Sequence, residues 1–163
     1  MIELPASNDD VLAHAINPAL DLLPPNTASD EARTMLLAIG RQETNFAARA
    51  QIGGPARSFW EFERNGVLAV MHHHASAPHV FELCGKLDIP YGSNAIYNAL
   101  LTDDVLGAAL ARLLLWTDPR PLPAIGDMLG AWDVYERCWK PGKPSYSRWK
   151  QAAYPQALKA MKQ

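Results

Sequence analysis

The chain has 163 residues, 48% of them hydrophobic, and a formal net charge of −2 at pH 7. This length and composition suit one globular domain with a sizeable core and leave little room for a second domain. The near-neutral charge argues against a nucleic-acid-binding protein, and the sequence contains no apolar run of 18 residues that would predict a membrane span.

Seven helices are predicted from polar capping residues and helical periodicity. They cover residues 7–22 with a kink at Pro18, 27–43 (or 29–43), 66–74, 76–84, 102–116, 127–139 and 145–161. Between the second and third helices, the Gly-Gly-Pro segment 53–55 predicts a loop or a short hairpin. That turn would bring Phe59, Trp60 and Phe62 beside the end of the second helix.

Glu43 ends the second predicted helix. Leu36 and Ile39 lie seven and four positions before it, so the helical period places all three side chains on one face. An inward-facing carboxyl at the edge of an apolar cleft has a raised pKa, which suits a general acid near neutral pH. The alternative is a helix-end glutamate that forms an ion pair with Arg41 or Arg49.

Four segments resemble, in the same order, motifs of the lysozyme-like superfamily, which includes soluble lytic transglycosylases and phage endolysins. ETNF at 43–46 resembles that family's Glu-Ser-x-Phe, and PARSFWE at 55–61 stands in the place of its Gly-Ala-x-Gly-Leu-Met-Gln. DVLGAALARLLL at 104–115 is similar to its small-residue helix, and LGAWD at 129–133 to its Ala-Tyr-Asn-Ala-Gly segment. The main departures are Thr44 for Ser, Ser58 for Gly, Glu61 for Gln, Trp132 for Tyr and Asp133 for Asn.

The resemblance implies an all-α, lysozyme-like single domain over residues 1–163, with a short loop or β-hairpin after the catalytic helix. It implies cleavage of the β-1,4 bond between N-acetylmuramic acid and N-acetylglucosamine in peptidoglycan, with Glu43 as general acid. The implied substrate-binding residues are Thr44, Ser58, Trp60, Trp132 and Asp133.

A second catalytic carboxylate could be Glu61, Glu63 or Asp133. Glu61 leads, because it stands where transglycosylases carry a substrate-contacting Gln, and an added carboxylate favours water as the acceptor. Hydrolysis is therefore expected. A separation of roughly 6.5–9.5 Å between the two carboxyls would fit an inverting geometry, and one near 5 Å a covalent or ion-stabilising role. A lytic transglycosylase and a non-catalytic virion or murein-binding protein are the alternatives.

The expected partner is the peptidoglycan glycan strand, bound by a monomer, with no nucleic acid, cofactor or metal. Three consecutive histidines, 72–74, point about 100° apart on a helix and cannot all bind one ion. Cys84 and Cys138 are expected to be reduced thiols. The basic segment after residue 134 is interpreted first as a solvated helix face, and attraction to an anionic envelope is the alternative.

The expected place of action is the bacterial cell wall. The start, MIELPASNDD, lacks the basic and then apolar plan of a signal peptide. We therefore expect synthesis in the host cytoplasm and release to the wall through a membrane pore, as for a phage endolysin, or delivery by a virion.

Overall fold

The computed structural model describes residues 1–162, and in this part of the chain the secondary structure is helical, with β-structure limited to two isolated bridges. The all-α prediction is confirmed. The α-helices are α1 Asn8–Val11, α2 Asn17–Leu22, α3 Asp30–Glu43, α4 Arg64–His72, α5 Ala77–Lys86, α6 Ser93–Ala99, α7 Asp104–Trp116, α8 Met128–Trp139, α9 Tyr146–Arg148 and α10 Tyr154–Ala160. No helix of this part is both long and apolar enough to cross a bilayer.

Two π-helical segments join helices that the sequence predicted as continuous. Leu12–Ile16 links α1 to α2 just before Pro18, and Trp149–Ala153 links α9 to α10 just before Pro155. A proline lacks the N–H that would continue the i→i−4 ladder, and the wider π turn accommodates this loss. The predicted kink at Pro18 therefore takes the form of a π-helical segment.

α7 lies at the centre of the fold and contacts α2, α3, α4, α5 and α8. Its small residues Gly107, Ala108, Ala109 and Ala111 are all buried, which lets neighbouring elements approach closely. A Cβ atom added at Gly107 would lie only 3.1 Å from Cβ of Ser58, in the loop that follows α3. The small-residue helix thus provides the surface on which that loop rests.

α3 is fixed at both ends. The Ser29 side chain accepts a hydrogen bond from the Ala32 amide, as its predicted capping role requires. After the helix ends, Phe46 folds back onto Gly40, where an added Cβ would lie 2.1 Å from the phenyl ring. The reversal of the chain therefore depends on a glycine one turn before the end of α3.

The predicted loop or short hairpin is a loop at residues 50–62 that isolated bridges close into a hairpin-like turn. Antiparallel bridges pair Ala50 with Arg57 and Arg57 with Phe62, and Gly53 supplies the positive φ of 70° at the tip. One helix was not predicted: α6 follows Gly92 in a stretch that the sequence indicated only as punctuated by Gly85 and Pro90. Its seven residues, SNAIYNA, are too few to show a clear helical period.

The basic C-terminal segment packs on the domain, since Trp149 and Tyr154 are fully buried and α10 contacts α3. Its lysines Lys150 and Lys159 are exposed. Cys84 and Cys138 are both free thiols, as expected, with Cys84 buried. Burial raises the pKa of Cys138 to about 11, so this thiol is unreactive at neutral pH.

Candidate active site

Glu43 is the last residue of α3, and its carboxyl faces the interior at a half-buried position. Leu36 and Ile39 are fully buried on the same helix, which confirms the face predicted from the sequence. The hairpin 50–62 and α8 enclose the helix end, because Thr44 bonds the hairpin and Tyr135 of α8 bonds the carboxyl itself. Glu43 is thus held by three separate parts of the chain.

Two neighbours define the chemistry of the Glu43 carboxyl. The Tyr135 hydroxyl donates a hydrogen bond to Oε1 of Glu43 over 2.5 Å. The Glu61 carboxyl lies within hydrogen-bonding reach of the Glu43 carboxyl, so the two acids can share a proton. Arg148 adds a more distant positive charge.

The pKa of Glu43 is raised to about 7. The largest cause is burial, because a half-buried carboxylate loses part of its hydration. The hydrogen bond and the negative charge of Glu61 raise the pKa further, whereas the Tyr135 hydroxyl and the Arg148 charge lower it. At neutral pH, about half of the Glu43 carboxyls therefore carry a proton.

Neither arginine of the alternative interpretation pairs with Glu43. Arg41 donates from Nε to Oδ1 of Asn8 over 2.7 Å, and Arg49 forms an ion pair with Asp104 over 2.6 Å. No salt bridge to Glu43 occurs among residues 1–162. The close charged neighbour of Glu43 is therefore an acid, Glu61, and not an arginine.

The turn 58–61 places Glu61 beside Glu43. Ser58 and Glu61 have φ values of 67° and 51°, in the left-handed region that residues with a Cβ seldom adopt. The Glu61 amide closes the turn with a 3.3 Å hydrogen bond to the Ser58 carbonyl. The left-handed turn thus places the two carboxyls side by side, and backbone conformations of this kind cluster at functional sites.

Two of the predicted substrate-binding residues are buried and hydrogen-bonded within the protein. The Ser58 side chain is buried, and its Oγ accepts a hydrogen bond from the Trp60 amide over 3.1 Å. Trp60 is fully buried, and its indole Nε1 donates to the Leu36 carbonyl over 2.9 Å. Both residues thus have structural roles, and their contact with a substrate stays a prediction.

Thr44 also holds the hairpin, since its hydroxyl donates to the Phe59 carbonyl over 2.9 Å. Trp132 is 7% exposed and packs its ring against Tyr135, Tyr146 and Trp149. Trp132 therefore supports the ring of Tyr135, and its predicted contact with a sugar stays a prediction.

The remaining acids lie apart from the pair. Asp133 and Glu63 are exposed, and neither is among the charges that perturb the Glu43 carboxyl. Asp133 follows Trp132 by about 100° on α8 and so points away from the buried face. Of the three candidates for a second carboxylate, Glu61 is the one that the fold brings to Glu43.

Tyr135 was not predicted as a site residue. Its ring stacks on Trp149 at a centroid distance of 5.3 Å, and burial together with the Glu43 charge raises the pKa of its hydroxyl. The sequence did carry a signal, because Trp132, Tyr135 and Trp139 recur at intervals of three and four on α8. That aromatic stripe marks the inner face of the helix.

A groove of about 760 Å³ begins at Glu61. The residues that line it include Phe62, Glu63, His73, Asp118, Arg120, Arg137, Trp139 and Lys140. Trp139 fixes the base of the groove, since its indole Nε1 donates to the Trp60 carbonyl over 3.0 Å. Glu61 is therefore the member of the carboxyl pair that lines this open, partly aromatic groove, and Glu43 lies behind it, outside the lining.

Comparison of the chain with protein-family models, with curated proteins and with solved structures finds no match.

Proposed function

We propose that this protein is a peptidoglycan glycosidase with a lysozyme-like fold, in which Glu43 is the general acid. The observation that carries the proposal is the Glu43 carboxyl, half-buried at a helix end with a pKa of about 7. A carboxylic acid with this pKa can donate its proton to a leaving oxygen at neutral pH. The groove lined by Glu61 has room for a segment of a polymer next to the pair.

The order of elements supports the same fold. An acid ends a buried helix, a strained hairpin follows, and a small-residue helix lies beneath that hairpin. This order matches the arrangement that the four resembling segments imply. The substitutions at Ser58 and Trp132 fall on side chains that serve packing, so they leave the carboxyl pair intact.

In the proposed reaction, Glu43 protonates the glycosidic oxygen, and the bond from that oxygen to C1 of N-acetylmuramic acid breaks. The cationic sugar that remains is stabilised by negative charge on the same side of the groove. Glu61 supplies that charge as a carboxylate, while Glu43 is the protonated member of the pair. The second step transfers either water or the sugar's own 6-hydroxyl to C1, while Glu43 accepts the proton.

The contact between the two carboxyls favours the second of these acceptors. Inverting hydrolases keep their carboxyls roughly 6.5–9.5 Å apart so that a water fits between them. Glu61 acts on Glu43 as a hydrogen-bond partner, which suits a closer pair than that separation. A lytic transglycosylase, with Glu43 as acid and then as base, is therefore a specific second candidate beside the hydrolase expected from sequence.

A murein zymogram followed by mass spectrometry of the released muropeptides tests the proposal. We expect cleared bands at the mass of the protein. Reducing N-acetylmuramic acid ends would identify a hydrolase, and 1,6-anhydro ends a transglycosylase. Binding to murein without any released fragment would contradict the proposal and identify the non-catalytic alternative.

A further inference from the structure

We propose that Arg57 and Arg64 form a binding site for a phosphate group with two negative charges, supplied by inorganic phosphate or by a phosphate monoester. The site lies outside the groove, because neither arginine belongs to the groove lining or to the charges that act on Glu43. It is therefore a second site beside the carboxyl pair, and it does not depend on the proposed glycosidase activity.

One tyrosine ring brings the two arginines together. Tyr97 of α6 is buried, and its hydroxyl donates a hydrogen bond to the Pro55 carbonyl of the hairpin. The guanidinium carbon of Arg57 lies 3.8 Å from the centroid of this ring, and that of Arg64 lies 4.3 Å from it. Cation–π contacts of this kind are attractive, so the ring stabilises both charges. Two cations are thus held against one fixed aromatic ring.

Hydrogen bonds fix the direction of both guanidinium groups. Nη1 of Arg57 donates to the Tyr97 carbonyl over 3.0 Å and to Oδ1 of Asn98 over 2.9 Å. Nη1 of Arg64 donates to Oδ1 of Asn94 over 2.6 Å. Each asparagine thus uses its oxygen on an arginine and keeps its amide N–H groups for another acceptor. The side chains of the site therefore present N–H donors, and a ligand must supply the acceptors.

Neither arginine of the site is neutralised by an acid. Arg64 is exposed and Arg57 is half-buried, and neither forms an ion pair within 4.0 Å among residues 1–162. Glu63, the acid next to Arg64 in the chain, lines the groove instead. By contrast, Arg49 at the start of the hairpin is paired with Asp104 over 2.6 Å. The fold therefore uses the charge of Arg49 and leaves the charges of the two arginines on Tyr97 for a ligand.

The donors of the site suit a phosphate dianion. A guanidinium presents its N–H groups in a planar fork that matches two oxygens of a phosphate, and it stays charged at physiological pH. Two such charges match the two negative charges that a phosphate monoester carries near neutral pH. A phosphodiester carries one negative charge and should bind more weakly. If the arginines served only to cover Tyr97, none of these anions would bind.

Isothermal titration calorimetry at constant ionic strength tests the site with inorganic phosphate, glycerol 3-phosphate and dimethyl phosphate. We expect the first two to bind and dimethyl phosphate, a diester, to bind at least about tenfold more weakly, because one charge-assisted interaction is lost. Equal affinity for the first two would identify the phosphate group itself as the ligand, and tighter binding of one of them would identify the free or the esterified form as its source. Failure of both to bind, or equal binding of dimethyl phosphate, would overturn the proposal.

The variant R64Q should weaken phosphate binding by about tenfold or more, since it removes one charged fork while Arg57 still ties the hairpin to α6. R64K keeps the charge and loses the planar fork, so its affinity should lie between those of R64Q and the wild type. The matched control is R120Q, which changes an exposed arginine of the groove and should bind phosphate like the wild type. Circular dichroism verifies folding. Unchanged affinity in R64Q, or an equal loss in R120Q, would overturn the assignment.

NMR spectroscopy locates the bound anion. Phosphate is titrated into 15N-labelled protein while the side-chain amide signals of Asn94 and Asn98 and the indole signal of Trp139 are followed. The two asparagine signals should shift, because their N–H groups lie beside the arginines, and the Trp139 signal in the groove should stay in place. A shift of Trp139 without a shift of the asparagines would place the anion in the groove and overturn the site. This measurement needs no murein, so its outcome is independent of the proposed function.

Discussion

Two carboxylates of this chain that are removed from solvent, the buried Asp104 and the half-buried Glu43, have opposite surroundings. Asp104 receives Nε and Nη2 of Arg49 over 2.6 and 2.7 Å and the Ile2 amide over 3.0 Å. Glu43 receives one tyrosine hydroxyl and faces a second acid, Glu61. The charge of Asp104 is neutralised by Arg49, whereas Glu43 forms no ion pair among residues 1–162.

The difference separates a structural carboxylate from a chemical one. The Asp104 pair ties the start of α7 to Arg49, whose carbonyl in turn accepts the Ser58 amide of the hairpin over 2.8 Å. The Asp104–Arg49 ion pair therefore helps to fix the hairpin that places Glu61 beside Glu43. The negative charge of a neighbouring acid raises the pKa of a carboxyl. Such a carboxyl keeps its proton up to a higher pH and can transfer it near neutral pH.

The largest expected effect comes from Glu43→Gln. This substitution preserves the shape of the side chain and removes the transferable proton, so murein cleavage should fall by roughly 10²- to 10⁴-fold or more. Turbidity clearing of a murein suspension measures the loss, with Glu82→Gln, an exposed glutamate of α5, as the control. Clearing at close to the wild-type rate by Glu43→Gln would remove the catalytic assignment.

The same carboxyl-to-amide change at Asp104 should act on stability. Removing one partner of a buried ion pair leaves Arg49 uncompensated and costs about 3–5 kcal/mol of unfolding free energy. Urea denaturation of Asp104→Asn measures this cost. The pKa that controls cleavage should stay that of the wild type, because Asp104 is not among the charges that act on Glu43. A variant of wild-type stability would contradict the structural role.

Glu43 should make the wild type less stable as the pH rises. The pKa of Glu43 rises from an ordinary 4.5 to about 7 on folding, so its contribution is fully present below pH 4.5 and is lost as the pH rises through 7. Above pH 7, Glu43→Gln should therefore exceed the wild type by about 1–3 kcal/mol, since the carboxyl is only half-buried. Denaturation at pH 4 and pH 8 checks the window, and equal stability of the two proteins at pH 8 would argue against it.

Glu61→Gln should move the alkaline limb of the activity profile to lower pH. Removing the Glu61 charge takes away an effect that raises the pKa of Glu43, and the shift should be on the order of one pH unit. The profile of kcat/KM against pH measures it. Muropeptides from the same variant report on mechanism: a large loss of rate fits a hydrolase, and retained activity with anhydro ends fits a transglycosylase. An unmoved limb would show that the two carboxyls do not interact.

Tyr135→Phe is the smallest change and should move the same limb in the other direction. The tyrosine hydroxyl stabilises the ionised Glu43, so its removal raises the pKa of Glu43 and extends activity to higher pH. The phenyl ring keeps its stacking on Trp149, which limits the loss of stability. A shift to lower pH, or a uniform loss of rate without a shift, would contradict this role for Tyr135.

Local features of the sequence predicted most of the helices and the face of Glu43. Ser29 and Asp103 cap α3 and α7 through side-chain bonds to backbone amides three residues on, which is a short-range signal. The hairpin could likewise be predicted, because Gly53 supplies the tip. α6 was not predicted, because a seven-residue helix after Gly92 is too short to show a helical period.

The site depends on contacts that a linear pattern does not contain. Tyr135 and Glu43 are 92 residues apart, and their meeting follows from the packing of α8 on the end of α3. The approach of Glu61 requires left-handed backbone at two residues with side chains, which sequence preferences disfavour. The motif implied a substrate contact for Trp60, whereas the burial of its ring and its bond to the Leu36 carbonyl are tertiary features that the motif does not contain.

The most direct test of the account is a 13C NMR titration of the Glu43 carboxyl, with the signal assigned by its absence in Glu43→Gln. We expect a midpoint near pH 7, because burial and Glu61 together oppose ionisation of Glu43. A midpoint near the ordinary value of 4.5 would mean that Glu43 is ionised at neutral pH and holds no proton to give, which would contradict its role as the general acid.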